Sequence, residues 1–348
     1  MAKREFRKLG RSGMQVSPLC LGAMNFGNPH FGCDEKTSIA IIGAYLDAGH
    51  NFIDTANVYT AGVSETIVGK AVKTRREDVA IATKAAGPMG PGAFQSGTSR
   101  KHVVRAVEDS LKRLDTDYID LYQMHRLDTA TPVDETMSTL NDLVRQGKVR
   151  YIGVSNWTAS AIVEAAMLAA SNGWEPLASL QPQYSIITRD IEVEIVPVCQ
   201  KFGLGIIPWS PLGSGLLTGK YVRGKEPAAD TRFGAPGPMT KLWRERMLQD
   251  RNYGIAEAVQ AEAKKLGISP IAFSLAWNMD RPGVVAPIIG PKSVQQLHDN
   301  LAALDVVLPP ESVQRIDELS EPAIGYPHDF LRMMRQMLAQ MRQAPAKN

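Results

Sequence analysis

Four polar side chains, Asp54, Tyr59, Lys84 and His125, stand at or just past the ends of apolar runs that read as β-strands. A phenol ionises near pH ~10 unaided, and a neighbouring ammonium stabilises phenolate and lowers that value. Lys84 therefore predicts a lowered pKa for Tyr59. Asp54 follows Phe52 and Ile53, where a buried carboxylate is costly unless paired. Lys84 ends VAIATK one strand along. Adjacent parallel strands lie ~4.8 Å apart, so an Asp54–Lys84 ion pair is sterically natural. A structural ion pair would explain those two residues alone. Tyr59, five residues past Asp54 in the loop NVYTAGVSE, and His125, ending YIDLYQMH, shift the reading towards chemistry. Imidazole, neutral or charged near physiological pH, can donate to a carbonyl oxygen. The four together supply an acid, its charge modulator, an anchoring carboxylate and an oxygen-orienting donor. Such a set suits protonation of an oxygen on which negative charge grows.

No nucleophile accompanies the quartet. GVSNW (153–157) is not GxSxG, and no cysteine lies near the four in sequence. The histidines form no HxxxH, and Asp54 with His125 is a poor metal site, so no metal is expected. Carbonyl reduction matches the set if something delivers hydride. No GxGxxG follows a predicted strand, so a Rossmann site is not supported. PWSPLGSGLLTGKY (208–221) instead offers close glycines with Ser210, Ser214 and Thr218, able to wrap a pyrophosphate. IIGPKSVQQLHDN (288–300) puts Gly290, Lys292 and Ser293 at a helix N-terminus, where free N–H groups and the helix dipole favour a phosphate.

Positioning these residues requires an alternation of elements. Strand-like VSPLCLGAM (16–24) precedes a helix near 36–49. NFIDTA (51–56) precedes 64–73, VAIATKA (79–85) precedes 99–114, and YIDLYQMH (118–125) precedes 133–147. VRYIGVSN (149–156), ASLQPQYS (178–185) and LGIIPWSP (204–211) lead to helices near 158–171 and 191–202 and then to a long Gly/Pro-rich loop. Helices near 252–266 and 270–279, the strand VVAPIIG (284–290) and a last helix complete eight strand–helix units. Ser64–Glu65, Thr158 and glycines 49, 147, 173, 203 and 267 read as helix starts and stops. Alternating units imply parallel strands with right-handed crossovers. Eight favour closure into a (β/α)8 TIM barrel of α/β class over a doubly wound sheet. Barrel strand ends converge on one rim, which is how distant residues form one site.

The expected organisation is a single domain over 1–348: barrel about 16–305, N-terminal β-hairpin 5–18 plugging its bottom, and a C-terminal helical tail within 309–343. In that tail Leu331, Met334, Leu338 and Met341 share a helical face, which would pack on the barrel, meet another subunit or cover the pocket. The chain has 348 residues, 44% hydrophobic and 22% charged, with a net charge of +3 and no basic stripe of a nucleic-acid binder. Cys20, Cys33 and Cys199 are widely spaced, fitting reduced thiols rather than disulfides or zinc. No signal peptide or membrane span is recognisable, so a cytoplasmic location is expected.

The segments LGRSGMQVSPLCLGAMNFG, FIDTANVYTAGVSE, YIDLYQMH, GKVRYIGVSNW, PWSPLGSGLLTGKY and IIGPKSVQQLHDN, in this order, resemble those of the aldo-keto reductases. The likeness covers roughly 5–320 and is nearest the branch with potassium-channel β subunits and bacterial reductases. It implies Tyr59 as general acid, Lys84 lowering its pKa, Asp54 anchoring Lys84, and His125 orienting the substrate carbonyl. It also implies that Ser155, Asn156 and Gln181 hold a nicotinamide carboxamide and that Trp209 stacks on the ring. Ser210, Leu212, Gly215 and Lys220 would match the pyrophosphate loop; Gly290, Lys292, Gln296 and Asn300 would match the adenosine end. The family usually prefers NADPH. Lys292, a point charge lacking arginine's fork, favours NADPH over NADH less strictly.

The expected function is therefore NADPH-dependent reduction of an aldehyde or ketone. Two other readings stand beside it: a nicotinamide-binding regulatory or sensor subunit with slow residual reductase activity, and a barrel isomerase or lyase. The expected partner is a small-molecule carbonyl compound, with a homo-oligomer left open and neither nucleic acid nor membrane anticipated. Met24, Phe26, Met89, Trp157 and Tyr184 are expected as apolar pocket wall, with the 213–250 loop and the tail as covers.

Overall fold

The computed structural model describes residues 5–30, 32–229 and 231–343; the side chains of Met239 and of residues 341–343, including Met341, lie outside that description. Strands β1 (Arg7–Lys8) and β2 (Gln15–Val16) form an antiparallel hairpin. Eight parallel strands follow: β3 (Cys20–Gly22), β4 (Phe52–Asp54), β5 (Ala80–Ala85), β6 (Ile119–Met124), β7 (Val149–Ser155), β8 (Leu177–Gln181), β9 (Gly205–Ile206) and β10 (Ile288–Ile289). Their order is β10-β3-β4-β5-β6-β7-β8-β9. The ring closes where the Val285 amide donates to the Ile206 carbonyl (2.8 Å) and the Ile288 amide to the Pro208 carbonyl (2.8 Å). The sheet is thus the barrel that eight βα units demand, and the open sheet is excluded.

Helices α1 (Glu35–Asp47), α2 (Val63–Val72), α3 (Arg100–Leu114), α4 (Val133–Arg145), α5 (Ala159–Asn172) and α6 (Ile195–Phe202) alternate with β3 to β9. Each buries one face. In α3, His102, Val103, Ala106, Val107, Ser110 and Leu114 are buried at helical spacing, and Arg100, Lys101, Arg105 and Lys112 are exposed on the other face. Thr158 caps α5 by accepting from the Ala161 amide, and the five expected stop glycines all have positive φ. Ser64 is not a cap. It lies inside α2, and its hydroxyl donates to the Ala23 carbonyl.

Between β9 and β10 lie α7 (Pro238–Met247), α8 (Asp250–Lys265) and α9 (Pro270–Met279). The first corrects the expectation of an irregular loop over 213–250: Pro238 opens a helix at the position where a missing N–H is harmless. After β10 come α10 (Val294–Leu301), α11 (Pro310–Leu319) and α12 (His328–Gln343). The tail helix α12 does not lay its apolar face on the barrel. Leu331 and Leu338 are 45% and 47% exposed, and Met334 is half-buried. A hydrogen-bond contact between His328 Nε2 and Glu194 Oε1 (3.1 Å) and an Arg332–Glu321 ion pair tether its first turns. Among the described residues no helix is long and apolar enough to cross a membrane.

The barrel interior is layered. Its lower part is apolar, with Cys20, Phe52, Ala82, Leu121, Ile207 and Ala286 packed together. The hairpin seals this end through Leu9 and Val16, both fully buried. Gly10 permits the fit: its φ is +58°, and an added Cβ would sit 2.3 Å from the Gly203 carbonyl oxygen. The upper layer is polar, holding Asp54, Lys84, Gln123 and Gln181.

Candidate active site at the barrel rim

The apolar run of β4 ends on Asp54, and the chain then turns back over the rim. The Thr55 amide donates to the Ala82 carbonyl and the Asn57 amide to the Lys84 carbonyl, lashing the exit of β4 to β5. Tyr59 opens a turn in which Thr60 (φ 49°, ψ 42°), Ala61 (φ 52°, ψ 37°) and Gly62 (φ 96°) are all left-handed. A β-branched threonine there costs on the order of 1–2 kcal/mol, so other contacts must hold the turn. Ser64 pins it to the Ala23 carbonyl, and buried Glu65 accepts from Thr83 Oγ1 (2.6 Å) and Arg113 Nε (2.6 Å). Arg113 also packs against Gly62, where a Cβ would come within 2.7 Å of its side chain.

This architecture brings the four expected residues together. Lys84 Nζ lies 2.5 Å from Asp54 Oδ1, 2.8 Å from the Thr55 carbonyl oxygen and 3.3 Å from Tyr59 Oη. An ammonium has three N–H groups, and these partners use all three. The rings of Tyr59 and His125 meet edge to face at 5.7 Å. Asp54 Oδ2 accepts from Gln181 Nε2 (2.8 Å) and Gln123 Nε2 (3.2 Å). The buried ion pair is thereby hydrogen-bonded on every side, as a charge in this setting requires.

Lys84 acts on Tyr59 in the expected direction, but burial acts against it. Burial pushes the Tyr59 phenol above its ordinary pKa; Lys84 opposes this, as its charge should, while Asp54 adds to the rise. Burial outweighs the ammonium, so Tyr59 holds its proton firmly. Burial also draws Lys84 down, but Asp54 and Tyr59 together raise its pKa above the usual value, keeping the ammonium charged. For His125, burial and then the charges of Lys84 and Arg126 lower the pKa from 6.5 to about 3. Its imidazole is neutral throughout the physiological range.

Above the four opens a cavity of about 620 Å³, within the range of small-molecule sites. Asp54, Tyr59 and His125 line it, and Lys84 lies behind them, fully buried. Ser155, Asn156, Gln181 and Trp209 form one stretch of wall. Asn156, at φ 57°, donates to the His125 carbonyl (3.0 Å) and accepts from Trp209 Nε1 (2.9 Å), so one side chain joins three rim segments. Ser210, Leu212, Gly215 and Lys220 line a second stretch, in which Gly213, Ser214 and Gly215 are successively left-handed. Gly290, Lys292, Gln296 and Asn300 line the third, at the start of α10, which Ser293 caps. Every expected cofactor residue therefore faces the same cavity.

The wall also holds residues that sequence reasoning missed. Arg232 and Trp243 reach it from the segment after β9, with Trp243 edge-on to Trp209 at 5.9 Å. Burial holds the Arg232 guanidinium below its ordinary pKa, with Tyr59 near enough to act on it. Asn25 donates to the Gly290 carbonyl (2.8 Å), joining the rims of β3 and β10. Gln123, beneath the wall, was not singled out either. Of the five expected apolar wall residues, Met24 lines the cavity, whereas Phe26, Trp157 and Tyr184 are buried in the packing between sheet and helices. Met89 is half-buried elsewhere, and none of the described side chains of α12 contributes to the wall.

The fold and site define a closed (β/α)8 barrel with a lysine-coupled tyrosine at the floor of its C-terminal cavity. The chain belongs to the aldo/keto reductase family, whose pattern matches residues 18–321. It is 38% identical over 327 residues to the uncharacterised oxidoreductase YrpG of Bacillus subtilis, covering 90% of this chain and 95% of that one. It is 39% identical over 321 residues to a probable voltage-gated potassium channel β subunit of Oryza sativa, again covering 90% and 95%. The norsolorinic acid reductase of Aspergillus flavus is 34% identical over 333 residues, 92% of this chain and 82% of that one.

Proposed function

We propose that this chain, as one barrel domain, is an NADPH-dependent reductase of aldehydes or ketones. The observation that carries the reading is Tyr59 Oη, 3.3 Å from a buried ammonium and on the wall of a cavity with phosphate-type loops. The donor set suits a dinucleotide phosphate. Lys220, Arg232 and Lys292 supply positive charge, the left-handed run 213–215 turns successive amides to one side, and the capped start of α10 adds helix N–H groups. Ser155, Asn156 and Gln181 offer polar atoms for a carboxamide, and Trp209 offers an aromatic face. A reduced nicotinamide bound there supplies the hydride.

The protein's own residues handle the oxygen. Tyr59, held protonated, donates to the carbonyl oxygen as charge grows on it. Lys84 then faces a phenolate and stabilises it without having to move, because its ammonium is already fixed on Asp54 and the Thr55 carbonyl. His125, uncharged, orients the same oxygen without competing for the proton. The reverse oxidation needs phenolate and should strengthen as pH rises.

The test follows absorbance at 340 nm across a panel of carbonyl compounds. Replacing Tyr59 with Phe should remove turnover by roughly 10²–10⁴-fold while NADPH still binds. Unchanged turnover would overturn the assignment. The channel-subunit relatives raise a regulatory role for this chain, but the complete, hydrogen-bonded acid assembly favours turnover.

A further inference from the structure

Gln123 is fully buried in β6, at a level where the barrel turns from apolar to polar. It does not line the cavity. Strand register sets it beside Lys84 on β5 and Gly153 on β7. Gly153 leaves the room it occupies: a Cβ there would lie 3.3 Å from Gln123 Cγ. Two residues earlier, Leu121 fills the lower layer with an aliphatic side chain. An amide placed one layer higher is costly unless both ends are met. Both are met inside the acid assembly. Nε2 donates to Asp54 Oδ2 (3.2 Å), and Oε1 accepts from Gln181 Nε2 (3.4 Å).

We propose that Gln123 is a positioning residue for the general acid: with Gln181 it occupies Oδ2 of Asp54, holding the carboxylate so that Oδ1 faces Lys84, and so sets how much of the ammonium's charge reaches Tyr59. The inference rests on the role proposed for Tyr59. Two N–H donors on Oδ2 draw negative charge to that oxygen and stop the carboxylate from turning. Without Gln123, Oδ2 keeps one donor, and more of the carboxylate's charge is spent on Lys84. The ammonium then stabilises a phenolate less.

The readout is the pH dependence of alcohol oxidation with NADP+ from about pH 7 to the highest pH at which the chain stays folded, where the low-pH limb reports phenolate formation and a limb displaced beyond that range shows as a lower rate at every pH. In the full chain, Gln123→Met keeps volume and removes the donor. The limb should move up by roughly half to one pH unit, with NADPH affinity unchanged. Gln123→Leu removes the amide in a second way. It should move the limb in the same direction, and it carries the test if the Met variant does not fold. A limb left at the wild-type position, in an enzyme that Tyr59→Phe inactivates, overturns the role of Gln123 alone. If Tyr59→Phe turns over normally, the reading beneath it falls and this inference with it.

Discussion

Replacing His125 with glutamine removes a titratable group whose folded and unfolded pKa values differ widely, and the difference can be read as stability. The unfolded imidazole titrates near 6.5; in the fold, burial and the neighbouring charges of Lys84 and Arg126 lower it to about 3. The folded value is the lower one, so the unfolded chain takes up the proton first as pH falls. The contribution is fully present above about pH 6.5 and is lost progressively as pH drops towards 3. At pH 5 the unfolded imidazole is some 1.5 units below its pKa while the folded one is still neutral, which corresponds to about 2 kcal/mol. Urea unfolding at pH 8 and pH 5, on wild type and His125→Gln, isolates this because carboxylates and the other histidines cancel between the two proteins. The wild type should lose about 2 kcal/mol more than the variant between those pH values. Equal losses would refute a neutral, buried His125. The same depressed pKa means that reduction should show no imidazole limb between pH 5 and pH 8.

Two further outcomes follow from the cavity and the plug. Lys292→Gln should weaken NADPH by about tenfold or more, the worth of a charge-assisted hydrogen bond, and NADH far less; fluorescence titration with each cofactor checks it, and equal losses would sink the 2′-phosphate role. Leu9→Ala opens a void at the sealed end of the barrel and should cost about 2–5 kcal/mol in urea unfolding; a loss well below that would mean the hairpin is not holding the lower core.

The alternation of elements was legible because period-two apolar runs and helical stripes recur along most of the chain. Strand lengths were not. Runs of six to nine residues yielded hydrogen-bonded strands as short as Gly205–Ile206, because closure of a tilted barrel pairs only part of each run. Asp54 and Lys84 stood out as charges ending apolar strands. Gln123 did not, being neutral and in mid-strand, although its parity with Leu121 and His125 placed it on the inward face. The net Tyr59 shift was hidden for a related reason: the lowering by the neighbouring lysine is visible in the sequence, whereas the opposing burial is a property of the folded rim. Helix α7 was hidden by Gly/Pro-rich composition, and Arg232 by an unremarkable polar stretch.

The two shortest strands of the barrel, β9 and β10, are also the two that meet to close it. Few backbone hydrogen bonds hold that seam, so it is the place where the ring should breathe first and its amides exchange soonest. Both phosphate-type loops depart from these same strands. A ligand bridging them would act as a staple across the seam, adding its binding energy to a junction of few backbone hydrogen bonds. Loading the site would then reinforce a ring that is already closed, and release of a dinucleotide would be coupled to the opening of that wall.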